Sequence, residues 1–68
     1  MIKYKLEEEF IPLNKLLKVL RLAQTGGHAK ILISEGEVRV NDEVEYRLRR
    51  KIRIGDVILI QDKTIFVD

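Results

Sequence analysis

The residues with the clearest chemical potential are cationic and crowded. Arg47, Arg49, Arg50, Lys51 and Arg53 place four guanidinium groups and one ammonium within seven positions, "RLRRKIR". Removing those seven residues from the 68 leaves 8 Lys or Arg against 11 Asp or Glu, so the formal net charge of +2 is owed to this one stretch. A basic excess confined to one place argues for a placed anionic partner more than for general adhesion. Arginine predominates, and its planar fork matches phosphate oxygens better than an ammonium does. The other use of such a run is protective: charged side chains on an edge strand discourage sheet-to-sheet aggregation.

A second candidate anion site surrounds Thr25-Gly26-Gly27. A helix N-terminus presents free N–H groups and partial positive charge, and two glycines let a phosphate approach the backbone. Lys30 adds a full charge one turn later, and Lys18 and Arg21 extend the patch. Gly-Gly before a helix is also simple loop flexibility.

Catalysis is not provided for. Serine and histidine occur once each and cysteine not at all, and Glu7–Glu9 has no evident partner, so no nucleophile, base and orienting group can be assembled. His28 lacks a second histidine or a cysteine, which argues against a metal site and for an exposed residue in a first helical turn. No cofactor or small-molecule substrate is expected of so small a core. Tyr4, Phe10, Tyr46 and Phe66 are scattered, which assigns them to the core and not to a base-stacking face.

The elements that must position these groups follow from periodicity. "IKYKL", residues 2–6, alternates apolar and basic and predicts a half-buried strand. Pro12 suits a helix start, and Leu13, Leu16, Leu17 and Leu20 form an apolar stripe, predicting a helix over about 12–22 with Asn14, Lys18 and Arg21 on its opposite face. Thr25 as N-cap, Ala29, Leu32 and Ile33 as a stripe, and Gly36 as a stop predict a second helix over about 26–35. The period then falls to two. "EVRV" and "EVEY" flank a tight turn at Asn41-Asp42, "KIRI" alternates, Gly55-Asp56 turns, "VILI" is an apolar strand, and "TIFV" closes after a turn at "QDK". As a strand, the basic segment would point Leu48, Ile52 and Ile54 inward and Arg47, Arg49, Lys51 and Arg53 outward at roughly 7 Å steps. Phosphates along one nucleic-acid strand are similarly spaced. Arg50 breaks the pattern and predicts a bulge or loop. Two helices followed by a small antiparallel sheet make an α+β fold.

At 68 residues the chain is expected to be a single domain, 1–68, near the lower size limit for folding without staples. No secretory signal pattern and no apolar run approaching the roughly 20 residues of a membrane span are present. The absence of cysteine fits a reducing compartment, and a cytoplasmic location is the expectation.

Together these residues resemble the S4 RNA-binding domain. The likeness runs from Leu13 to Ile58 and centres on "TGGHAKILISEGEVRVN", with Gly55-Asp56 about 14 residues later. The short single-domain bacterial S4 proteins are most similar, with Gly-Gly before Ala-Lys and a basic segment like Val44 to Ile52. The resemblance implies a two-helix αL motif packed on a small antiparallel sheet, and binding of structured RNA, often ribosomal. It implies RNA contacts at Lys18, Arg21, Thr25, Gly26, Gly27, Lys30, Asn41, Arg47, Arg49, Arg50, Lys51 and Arg53. Pro12-Leu13-Asn14 stands where many S4 domains carry Arg-Leu-Asp, Thr25-Gly26 where many carry Ser-Arg, and Asn41-Asp42 where Asn-Gly is usual. Binding is therefore expected to lean on residues 47–53.

Three functions compete at this point. The first is a non-catalytic module for structured RNA, with ribosomal RNA or a ribosomal subunit as partner. The second is a protein-interaction adaptor that keeps the fold and uses Glu7–Glu9 and Phe10-Ile11 as its contact surface. The third is DNA binding, which the second helix, "GGHAKILISE", equips poorly for reading major-groove edges.

Overall fold

The computed structural model describes residues 1–68. Along the chain run β1 (Ile2–Tyr4), β2 (Ile11–Pro12), α1 (Leu13–Val19), α2 (Gly26–Ser34), β3 (Val38–Val40), β4 (Glu43–Val44), β5 (Lys51–Ile52), β6 (Val57–Ile60) and β7 (Lys63–Val67). One sheet has the order β1-β7-β6-β3-β4, and β2 and β5 form a separate two-stranded ribbon. No helix is long and apolar enough to cross a membrane.

The turns form where the backbone chemistry allows them. Asn41 and Asp42 both adopt positive φ, 51° and 72°, which suits the tight β3–β4 turn with Val40 opposite Glu43. Gln61 at φ 55° begins the turn between β6 and β7. Three expected strands differ in extent or pairing, and the one read from "EVEY" ends at Val44. The strand predicted over 2–6 ends at Tyr4 and lies parallel to β7, so the sheet is mixed and not purely antiparallel. Parallel neighbours need a long crossover, and nearly the whole chain separates these two. The alternation of 51–54 survives only at Lys51–Ile52, and Ile54 is exposed in the following turn.

The helix predicted over 12–22 stops at Val19. Arg21 takes φ 61°, the Leu22 N–H donates to the Leu17 carbonyl at 2.9 Å, and the Arg21 N–H to that of Lys18 at 3.0 Å. This is a Schellman ending with arginine in the left-handed position. It moves Arg21 off the helical face it was expected to share with Asn14 and Lys18. α2 ends the same way at Gly36, φ 76°, with Glu37 N–H donating to Leu32 and Gly36 N–H to Ile33. There the left-handed residue is the glycine that carries no Cβ penalty.

The apolar stripes meet as predicted. Leu13, Leu16 and Leu17 of α1 and Ala29, Leu32 and Ile33 of α2 share one core with Val38, Val40, Ile58, Ile60, Ile65 and Val67 of the sheet and Ile11 and Ile52 of the ribbon. Asn41 ties two turns at the sheet's end. Its Nδ2 donates to Asp56 Oδ1 at 3.0 Å, its Oδ1 accepts from the Val57 N–H at 2.9 Å, and Asp56 Oδ2 accepts from the Arg53 N–H at 2.8 Å. Asn41→Ala should lower the unfolding free energy by about 1–3 kcal/mol, from lost hydrogen bonds and a Cβ without a polar group at positive φ. Asn41→Gly relieves the φ penalty alone and should recover part of the loss in urea melts.

Candidate nucleic-acid interface

The basic segment is built against the start of α1. Pro12 is the N-cap of α1 and offers no side-chain acceptor. The first free N–H groups bond to the basic segment's carbonyls instead: Leu13 donates to Arg50 at 2.8 Å and Asn14 to Leu48 at 3.0 Å. Residues 47–50 are thereby held as a turn, with the Arg50 N–H donating to the Arg47 carbonyl at 3.3 Å. The four outward side chains expected along a straight strand are not in a row. All five cations nevertheless converge, because Arg47, Arg49, Arg50, Lys51 and Arg53 line a single open depression with Asp56 and no hydrophobic residue.

Glu45 organises this turn, and it was absent from the sequence-level site. It is buried, at 6% exposure. Its carboxylate accepts from the Arg47 backbone N–H at 2.9 Å, from Arg47 Nε at 3.0 Å and Nη2 at 3.1 Å, and from Arg50 Nη1 at 2.7 Å. The Arg47 hydrogen bond, opposed by burial and aided by Arg50, holds the Glu45 carboxyl at about 2 instead of 4.5. The same bond raises the Arg47 pKa, so its guanidinium stays charged. The run is thus partly compensated, by a carboxylate two residues before it begins. Glu45 and Arg47 share a face of an extended chain, so the i, i+2 spacing was the available signal.

A second depression, lined by Lys18, Arg21, Ala23 and Gln24, lies at the other end of α1. The Lys18 ammonium sits 4.0 Å from where a Cβ on Gly26 would be, which joins it to the start of α2. Thr25 caps that helix as expected, its Oγ1 accepting from the His28 N–H at 3.0 Å. The exposed His28 returns the contact, its Nδ1 accepting from the Gln24 N–H at 3.1 Å. Gly26 and Gly27 are exposed beside this cap. Lys30 is exposed and lines neither depression, and the Asn41 amide is engaged with Asp56 and Val57. Of the aromatics assigned to the core, Tyr4, Phe10 and Phe66 are half-buried, whereas Tyr46 is 66% exposed, lying over the end of α2 by Gly36.

With this geometry in hand, comparison with known proteins is decisive on kinship. The S4 domain profile matches residues 4–68. The chain belongs to the S4 domain family. This S4 domain is 45% identical over 56 residues to "Probable ribosome maturation protein RlbA" of Bacillus subtilis (strain 168), covering 82% of this chain and 79% of that one. It is 42% identical over 48 residues to "Putative RNA-binding protein YbcJ" of Escherichia coli (strain K12), covering 71% and 69%. The solution structure of Escherichia coli YbcJ, described as revealing an αL motif involved in RNA-binding, is similar with a TM-score of 0.74 and 34% identity, over 98% of this chain and 86% of that one. The α+β architecture of the S4 domain, two helices on a sheet, is therefore shared beyond this sequence.

Glu45 carries a pH dependence whose sign is fixed. A carboxyl lowered on folding stabilises the fold fully above its ordinary value, and that stabilisation is lost as the pH falls from about 4.5 towards 2. Glu45→Gln should cost about 1.5–3 kcal/mol at neutral pH, as for hydrogen bonds to a charged group. The difference from the native chain should shrink across that acid window in urea melts.

Proposed function

We propose that this S4 domain is a non-catalytic module that binds structured RNA by its phosphates, and that its partner is ribosomal RNA or a ribosomal subunit in the cytoplasm. The observation that carries the reading is the convergence of five cations on one solvent-open depression without an apolar residue in its lining. Such a surface suits a charged backbone, not an apolar ligand. A second cationic depression, with Lys18 and Arg21, lies at the C-terminal end of α1, whose N-terminus holds the basic segment. Two separated phosphate sites favour a folded RNA recognised by shape. The RNA-binding wording attached to YbcJ and the ribosome-maturation wording attached to RlbA support the same reading. The adaptor reading loses part of its contact surface, since Ile11 is 1% exposed and belongs to the core.

The test is a salt titration of binding to folded ribosomal RNA fragments and matched duplex DNA by fluorescence anisotropy. The native chain should prefer RNA, with affinity falling steeply with salt. Arg49→Gln, Lys51→Gln and Arg53→Gln combined should weaken binding and make the slope of log affinity against log salt shallower by roughly 2, for a surface that loses up to three phosphate contacts. RNA binding unchanged in that variant would overturn the reading. Arg21→Gly should separate binding from folding. It relieves a left-handed arginine, so stability should hold within about 0.5 kcal/mol or rise, while RNA affinity drops several-fold.

A further inference from the structure

Phe10 is half-buried beneath two cations. Lys51 Nζ lies 5.0 Å and the Arg53 guanidinium carbon 5.8 Å from its ring centroid. Both fall within the range of cation–π attraction. The register of the ribbon explains the placement. Ile11 pairs with Ile52 and Pro12 with Lys51, so continuing one step puts Phe10 opposite Arg53. Alternation then sets Phe10, Lys51 and Arg53 on one face, while Ile11 and Ile52 fill the core on the other. The same two cations line the depression proposed to hold phosphate.

We propose that Phe10 is a positioning residue of the RNA-binding surface, its ring holding Lys51 and Arg53 together for phosphate without contributing charge. The proposal rests on the phosphate-binding reading given above. Long cationic side chains lose rotamer freedom when they bind, and two like charges on one strand face repel. An aromatic ring that attracts both reduces each cost before the ligand arrives. It does so without using up their N–H donors, which stay free for phosphate oxygens. The neighbouring Glu9 also reaches Arg53, at 3.5 Å, but that pair is 50% and 81% exposed and competes for the donors a phosphate needs. The ring orders the cations, whereas Glu9 is displaced.

The experiment compares the native chain with Phe10→Leu, Phe10→Trp and the double variant Lys51→Gln/Arg53→Gln. Binding of a fluorescein-labelled RNA hairpin is followed by anisotropy between about 50 and 200 mM salt. Phe10→Leu keeps apolar volume and every charge. It should bind about threefold to tenfold more weakly at each salt concentration, with an unchanged salt slope. Phe10→Trp should restore the affinity, and the double Gln variant should lose both affinity and slope. In the native chain, proton NMR should show the Lys51 Hε and Arg53 Hδ resonances shifted upfield by the ring current, and the shifts should vanish in Phe10→Leu. If folded Phe10→Leu binds as the native chain does while the double Gln variant is weakened, the positioning role is overturned and the phosphate reading stands. If the double Gln variant binds as the native chain does, the phosphate reading fails and the proposal with it. Should Phe10→Leu not fold, absence of the upfield shifts in the native chain overturns the proposal, and their presence together with full affinity of Phe10→Trp supports it.

Discussion

The cationic surface of this S4 domain depends on one buried carboxylate. Glu45 accepts three hydrogen bonds from Arg47 and one from Arg50, and it is the only charged residue in the buried set. Five cations in seven positions would otherwise repel one another and splay. One anion placed beneath them reduces the repulsion and sets the direction of two guanidinium groups. The outer surface stays positive, because the Arg47 side chain remains 73% exposed while its carboxylate partner is 8% exposed. A buried charge is tolerable only when its acceptors are filled, and here they are.

The second dependence is on backbone and not on charge. The carbonyls of Leu48 and Arg50 satisfy the first N–H groups of α1, and β5 pairs with β2 immediately before that helix. The basic turn and the start of α1 therefore hold one another, and a helix of seven residues, too short to persist alone, is fastened at its N-terminus. At its other end the chain accepts a left-handed arginine where α2 uses glycine. Local backbone cost of this kind persists where the surrounding structure enforces it, and here it accompanies a cation beside Lys18 and the start of α2.

Much of this arrangement was legible from residue types and their spacing. The stripes Leu13, Leu16, Leu17 and Ala29, Leu32, Ile33 are the core faces of two helices, and Thr25, Gly36 and Asn41-Asp42 are a cap, a stop and a turn. These are local matters, decided within three or four residues by hydrogen-bond reach, left-handed tolerance and periodicity. The clustering of residues 47–53 was legible as well, since neighbours in sequence cannot be far apart in space.

What the sequence alone determined, then, was the inventory: two amphipathic helices, a strand-rich second half, one concentrated positive charge and the S4 likeness. Only the tertiary structure decided how the charge is displayed. Arg47–Arg50 became a turn and not a strand because the N-terminus of α1 took its carbonyls, a pairing across more than thirty residues that no local pattern encodes. The same is true of β1 beside β7, and of Phe10 beneath Lys51 and Arg53. Periodicity tells a side chain which face it occupies. It does not tell it which distant strand, ring or carboxylate will share that face, because that is settled by which long-range pairings leave the fewest backbone groups and apolar surfaces unpartnered.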